Sequence, residues 1–153
     1  MTVLKTPESL TEEHRELFHK LGKLAAEKGE TAREVKELLT VLEPHFEKEE
    51  ETAMPLLGAL RPLSEGKVVR DPSEVSSLHR KFTSEYPEML EEHNQVKRLI
   101  DNVRNAAKKA QDENALTMMD ELEHHAAVEE EVLYPAAMLV GAMAGVGAKV
   151  RAQ

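Results

Sequence analysis

Cysteine and tryptophan are both absent from this chain of 153 residues. Without cysteine there is no disulfide, no thiolate-bound zinc and no redox dithiol. Aromatic residues make up only 3% of the sequence, which is a poor composition for a β-sandwich or for a surface that stacks nucleic-acid bases. These absences exclude disulfide scaffolds and zinc–thiolate domains, and they argue against nucleic-acid binding.

Positive charge is also scarce. Lys and Arg number 20 against 29 Asp and Glu, a formal net charge of -9, so we expect no nucleic-acid partner. The N-terminal segment has no apolar core of a signal peptide. The one stretch of low polarity, 132–148, contains Pro135 and three glycines and is shorter than a membrane span. We therefore expect a cytoplasmic protein with no membrane partner.

Helix formers dominate what is present, and apolar residues recur at spacings of three and four. Four amphipathic stretches cover residues 10–24, 35–56, 82–103 and 116–136. The junctions near Gly29 and near residues 111–112 are short, which makes neighbouring helices antiparallel. The pattern predicts an all-α fold, an up-down-up-down four-helix bundle.

We expect one domain over residues 1–153, with the bundle core at about 7–140. A segment at about 60–86 is inserted between the second and third helices. Within it, residues 73–84 are expected to form a short helix, or an extension of the third helix kinked at Pro87. The low-polarity stretch 132–148 is expected to be a helix end with a flexible tail, and the tail is placed at 141–153.

The sequence repeats itself at an offset of about 80 residues. Each copy holds one histidine after a Pro-Glu helix start, then a His-x-x-x-Glu pair followed six residues later by proline. The two copies carry His14, His45 and Glu49, and His93, His125 and Glu129. The bundle is therefore predicted to be two helical hairpins with the same marks.

These six residues are predicted to meet in one layer of the core. Residues four apart share a helix face, with Cβ atoms roughly 5–6 Å apart, so each His-x-x-x-Glu pair can face one metal ion. His14 and His45 are nearly equidistant from the turn at Gly29. His93 and His125 are nearly equidistant from the second turn, so all four histidines should lie level in antiparallel helices.

Such a layer needs a cation, because two bare carboxylates repel each other and are costly to bury. Six ligands are too many for a tetrahedral zinc site. They suit two ions, each bound by two imidazoles and bridged by both carboxylates. An added oxo or hydroxo bridge would bring each ion to about five ligands and leave an open position on each. Imidazole with carboxylate favours iron or manganese.

Several other residues were weighed against this set, and no catalytic residue separate from the ligands is predicted. The Glu-x-x-His pairs Glu16/His19 and Glu121/His124 break the repeat and are interpreted as surface residues, although His124 is an alternative to His125. His79 is interpreted as a surface histidine. For Tyr134 we expect packing, with a hydrogen bond near the metals as the alternative. For Glu50 and Glu130 we expect solvation, with a proton relay as the alternative.

The motif resembles the hemerythrin-like, or HHE cation-binding, family over roughly residues 7–140. This resemblance implies a non-haem centre of two iron ions, with manganese or zinc as substitutes, that reacts with O2, nitric oxide or hydrogen peroxide. Oxygen-carrying hemerythrins have a fifth histidine where this chain has Lys97, which argues against reversible oxygen carriage. The resemblance therefore favours a peroxide- or nitric-oxide-reactive oxidoreductase in oxidative or nitrosative stress. The alternative is iron storage, delivery or sensing without catalysis.

Overall fold

The computed structural model describes residues 4–69 and 71–152, with side chains described as far as residue 144. The helices are α1 Glu8–Ala25, α2 Glu30–Glu51, α3 Ala53–Leu57, α4 Leu60–Ser64, α5 Pro72–Ala110, α6 Glu113–Val128 and α7 Tyr134–Ala152. A π-helical turn, Glu129–Leu133, joins α6 to α7. No strand occurs in these residues, so the all-α prediction is confirmed. None of their helices is long and apolar enough to cross a membrane.

The bundle consists of α1, α2, α5 and α6, and the two predicted turns are where the sequence placed them. In the first turn Gly29 has φ 109°, a backbone conformation that glycine adopts without strain. In the second turn Gln111 is left-handed, and the Asp112 side chain accepts a hydrogen bond from the Ala115 amide at the start of α6. Helix α1 packs on α2 and α6, and α5 packs on α2 and α6.

The inserted segment is mostly helical and largely belongs to α5. This helix begins at Pro72, where the Asp71 side chain accepts hydrogen bonds from the amides of Ser73 and Glu74. The first amides of a helix have no carbonyl partner within the helix, so a proline at the first position costs no hydrogen bond. An aspartate cap accepts hydrogen bonds from the amides that follow. The helix continues past Pro87 to Ala110. Of the two expectations for residues 73–84, the extension of the third helix is therefore confirmed.

The segment expected to be a tail, from residue 141 onward, continues α7 as far as Ala152, and α7 packs against α5. The early part of α5 presents Val75, Phe82 and Met89, and α7 covers them with residues such as Val140 and Ala144. The spacing of apolar residues in α7 does not reveal which helix it packs against. Part of the α5 face that α7 covers belongs to the inserted segment.

Helices α5 and α7 approach closely at Gly141, where an added Cβ would overlap the Cβ and ring of His79. We expect Gly141→Ala to lower the free energy of unfolding by about 1–2 kcal/mol, because overpacking outweighs the gain in helix propensity. With His79→Gly as the background, which removes the His79 Cβ as well as the ring, the same change should instead stabilise by up to about 1 kcal/mol. Urea denaturation of the four proteins measures both values. An equal loss in the two backgrounds would contradict this explanation.

Two apolar clusters fill the bundle on either side of a polar layer. The cluster near the short turns contains Leu21, Leu38 and Ile100 among its buried residues. The other contains Leu56, Phe82 and Val140, from α3, α5 and α7. Along each long helix the six predicted ligands lie between members of these two clusters. The insert and α7 therefore cover the side of the polar layer that faces away from the turns.

Candidate metal centre

The polar layer brings all six predicted residues together. They come from four helices and the π-helical turn: His14 from α1, His45 and Glu49 from α2, His93 from α5, His125 from α6, and Glu129 from the turn. None is more than 5% exposed. Their convergence is a finding of the structure, and their role as metal ligands stays a prediction.

A helix irregularity follows each of the two glutamates. Helix α2 ends two residues after Glu49, where Thr52 has φ -127° and ψ -66°, and the π-helical turn begins at Glu129 itself. Pro55 and Pro135 explain both features, because a proline has no amide to donate to the carbonyl four residues earlier and its ring clashes with it. π-Helical turns occur frequently at functional sites.

The inward-facing atoms form two groups that share both glutamates. The first group contains His14, Glu49, His125 and Glu129, and the second contains His45, Glu49, His93 and Glu129. Within each group the candidate ligand atoms lie within 4.8 Å of one another. Each group also contains two imidazoles and two carboxylates, as the sequence predicted for two bridged ions.

Each carboxylate directs one oxygen towards each group. In the first group, Glu49 Oε2 lies 3.3 Å from His14 Nε2, and Glu129 Oε2 lies 3.3 Å from His125 Nε2. In the second group, Glu49 Oε1 lies 2.5 Å from His45 Nε2, and Glu129 Oε1 lies 3.4 Å from His93 Nε2. This is the arrangement that two carboxylates need in order to bridge two ions.

Buried atoms without partners show that a cation fits here. The Nε2 atoms of His14 and His125 and the Oε2 atom of Glu49 are buried and form no hydrogen bond. Such atoms are rare in folded proteins, because desolvation without a partner is costly. All three face the interior of the layer, where a cation would satisfy their lone pairs. Four imidazoles and two carboxylates form a donor set that suits iron.

Charge coupling inside the layer shifts several pKa values. Burial lowers the pKa of His14, but the nearby Glu129 and Glu49 carboxylates outweigh it and raise that pKa to about 10. The pKa of His93 is raised to about 10 by the same balance. Burial raises the pKa of Glu49, but its polar neighbours in the layer, Glu129 and His14 among them, outweigh burial and hold that pKa well below its ordinary value. Without metal, protons on the imidazoles therefore balance the carboxylates.

A carboxylate also lies against the outer nitrogen of every histidine. Glu13 contacts His125, Glu50 contacts His14, Glu92 contacts His45 and Glu130 contacts His93, at Nδ1–Oε1 distances of 2.5, 3.4, 3.6 and 2.9 Å. At the three distances within hydrogen-bond range, those to His125, His14 and His93, such partners fix the ring orientation and the tautomer of a ligating histidine, whereas His45 Nδ1 forms no hydrogen bond.

The sequence predicts solvation for Glu50 and Glu130, with a proton relay near the metals as the alternative, and it assigns no role to Glu13 and Glu92. The repeat carried the signal, because an acid precedes both His14 and His93 and another follows both Glu49 and Glu129.

Tyr134 contributes more than packing. Its hydroxyl donates a hydrogen bond of 2.6 Å to Glu49 Oε1 and lies 3.2 and 3.1 Å from the Nε2 atoms of His45 and His93. Burial and the neighbouring Glu49 carboxylate raise the pKa of this phenol far above its ordinary value. The hydroxyl therefore stays protonated and serves as a donor to the second group.

The residues set aside in the sequence lie outside the layer. His124 is exposed although its neighbour His125 is buried, because consecutive side chains of a helix point about 100° apart. Glu16, His19 and Glu121 are exposed as well. His79 is half-buried, and it lies against Gly141 rather than fully in solvent.

Comparison with known families agrees with this geometry. The family model described as the hemerythrin HHE cation binding domain matches residues 6–137, with a second, overlapping match over 84–151. No match was found among curated proteins or solved structures. The first match spans most of the chain and includes all six residues of the polar layer. The chain therefore belongs to the hemerythrin HHE cation-binding domain family, as its motif predicted.

Proposed function

We propose that this protein is a non-haem di-iron protein that binds or reduces O2, nitric oxide or hydrogen peroxide, in oxidative or nitrosative stress. One observation carries the proposal: Glu49 and Glu129 each direct one oxygen to each of two groups. Glutamates shared in this way between the two groups support two ions bound side by side. The family's cation binding is the coarser statement from which the proposal starts.

The residues of the chain have separable tasks in such a centre. The four histidines would bind iron through Nε2, while the outer carboxylates hold their rings in place. Glu49 and Glu129 would bridge, and Tyr134 would hold a proton at the Glu49 carboxylate. The two apolar clusters keep water out of the layer. Iron bound there supplies electrons and a coordination position for a small oxidant.

The capacity of the site argues against storage. Among the described residues, only the two groups of the polar layer bring three or more candidate ligands together. A storage protein needs room for many ions, whereas these groups have room for two. Delivery or sensing of iron is the remaining alternative, and it predicts binding without redox chemistry.

Anaerobic loading followed by stopped-flow mixing tests the proposal. We expect about two irons per chain after desalting, and rapid changes in the optical bands of iron on mixing with hydrogen peroxide or nitric oxide. Elemental analysis measures the first result, and the metal-free protein is the control for the second. Two irons with no optical change, and ready loss of iron to a mild chelator, would support delivery or sensing instead.

A further inference from the structure

A groove between α1 and α2 leads from the protein surface to the first group. Its volume is about 350 Å³. Glu43, Glu47 and Glu50 line it from α2 and Arg15 lines it from α1, while the rings of His14 and Phe46 close its inner end. The insert and α7 do not contribute to this groove. The groove therefore ends at His14, a member of the first group.

His14 connects the groove to the metal layer. Its side chain is only 2% exposed, and its ring stacks on Phe46 with the centroids 3.9 Å apart. Its Nδ1 atom faces the groove residue Glu50 at 3.4 Å, and its buried Nε2 atom has no hydrogen-bond partner. One imidazole thus separates the groove from the gap between the inward-facing ligand atoms.

The groove is strongly acidic. Glu43, Glu47 and Glu50 are spaced by four and three residues, so they lie along one face of α2. All three are exposed, and among the described residues neither Glu43 nor Glu47 forms an ion pair. Arg15 alone opposes these three carboxylates. A narrow cleft lined by charge of one sign concentrates ions of the opposite sign.

The second hairpin lacks this acidic surface at its equivalent positions. At the repeat offset of about 80 residues, Ala127 stands in place of Glu47, and Glu123 in place of Glu43. Glu123 is paired with Arg104, and Lys97 is paired with the outer carboxylate Glu130. The bundle and the ligand layer therefore do not require the acidic groove, because the second hairpin carries equivalent ligands without it.

We propose that this acidic groove is the route by which Fe²⁺ reaches the centre, with His14 as the last side chain that it passes. The inference rests on the proposed function, since it requires a centre that binds metal. The exposed carboxylates attract the hydrated cation, and Glu50 brings it to the His14 ring. The Glu43 and Glu47 carboxylates, which form no ion pair with the ligand layer, act on the rate of loading.

Loading kinetics of the metal-free full chain test the route. The double variant Glu43→Gln/Glu47→Gln removes two exposed charges, and Glu123→Gln is the matched control at the equivalent repeat position. Co²⁺ uptake is followed by visible absorption, and Fe²⁺ uptake under anaerobic conditions by competition with a chromogenic chelator. At low ionic strength we expect the double variant to load roughly tenfold more slowly than the wild type, and the control within about twofold. The difference should shrink at high salt, where the charges are screened.

The final metal content separates the possible outcomes. Equal content in the wild type and both variants, with slow loading in the double variant alone, is the expected result. A double variant that loads within twofold of Glu123→Gln would overturn the route, and so would one that binds fewer ions at the end point. If the wild type takes up neither Co²⁺ nor Fe²⁺, the proposed function fails and the route fails with it. Circular dichroism verifies that each variant is folded.

Discussion

Glu129→Gln is expected to abolish the binding of both metal ions, whereas His125→Ala is expected to abolish the binding of one. Glu129 Oε1 faces His93 in the second group and Glu129 Oε2 faces His125 in the first. The neutral amide of glutamine has a single oxygen, so it cannot bridge, and it removes a charge that both ions need. His125 faces the first group only, so its loss leaves the second group with all four of its residues.

Metal per chain, measured by elemental analysis after anaerobic loading and desalting, provides the test. We expect about two irons for the wild type, one for His125→Ala and fewer than about 0.2 for Glu129→Gln, since losing a shared ligand affects both sites. Glu131→Gln is the control, because Glu131 lies in the same π-helical turn and is exposed. A Glu129→Gln variant that retained both ions would contradict the bridging role. Retention of two ions by His125→Ala would return His124 to consideration.

Metal is expected to stabilise the protein strongly, and more at high pH than at low pH. An ion present at a thousand times its dissociation constant stabilises the folded state by about 4 kcal/mol. Two ions would then raise Tm by roughly 15–30 °C in a chain of this size. The ions also replace the protons that otherwise balance Glu49 and Glu129, so binding releases protons and strengthens as pH rises.

The metal-free protein should change with pH in the opposite sense. The pKa values of His14 and His93 are raised to about 10 in the folded state. Their contribution to stability is therefore fully present below the unfolded value of about 6.5 and is lost as pH rises towards 10. We expect the metal-free protein to lose at least about 2 kcal/mol of unfolding free energy across this range. The depressed pKa of Glu49 adds stability that is present above about pH 4.3 and lost in acid.

Thermal unfolding at pH 6.5 and pH 8.5, with protein loaded beforehand and protein stripped by a chelator, measures both trends. The difference in Tm between loaded and stripped protein should widen at the higher pH. Glu129→Gln should show no metal-dependent shift at either pH. A Tm difference that narrows with pH would mean that metal does not displace the imidazole protons.

The positions of the six converging residues follow from short-range rules. His45 and Glu49 share a helix face because they are four residues apart, and the turn at Gly29 sets the depth of His14 relative to them. The repeat then placed His93, His125 and Glu129 at the equivalent positions. Helix periodicity and turn position are readable from sequence, so these residues could be chosen without a structure.

The contacts around the layer were not predictable in the same way. Glu13 reaches His125 across 112 residues of chain, and Tyr134 reaches Glu49 across 85. Both depend on how each helix rotates about its own axis and on the reach of one side chain. The π-helical turn adds a further shift between Glu129 and Tyr134. A regular period of 3.6 residues does not include a π-helical turn. The sequence pattern therefore predicted packing for Tyr134 rather than a hydrogen bond to Glu49.

By itself, the sequence determined the helical class, the two hairpins and the residues that share one depth, since all three depend on local spacing and on the internal repeat. Only the tertiary structure decided that α7 continues and covers the inserted part of α5, that a carboxylate lies against the outer nitrogen of each histidine, and that the acidic groove opens beside His14. These features depend on side chains from helices far apart in the chain, where packing fixes which faces meet.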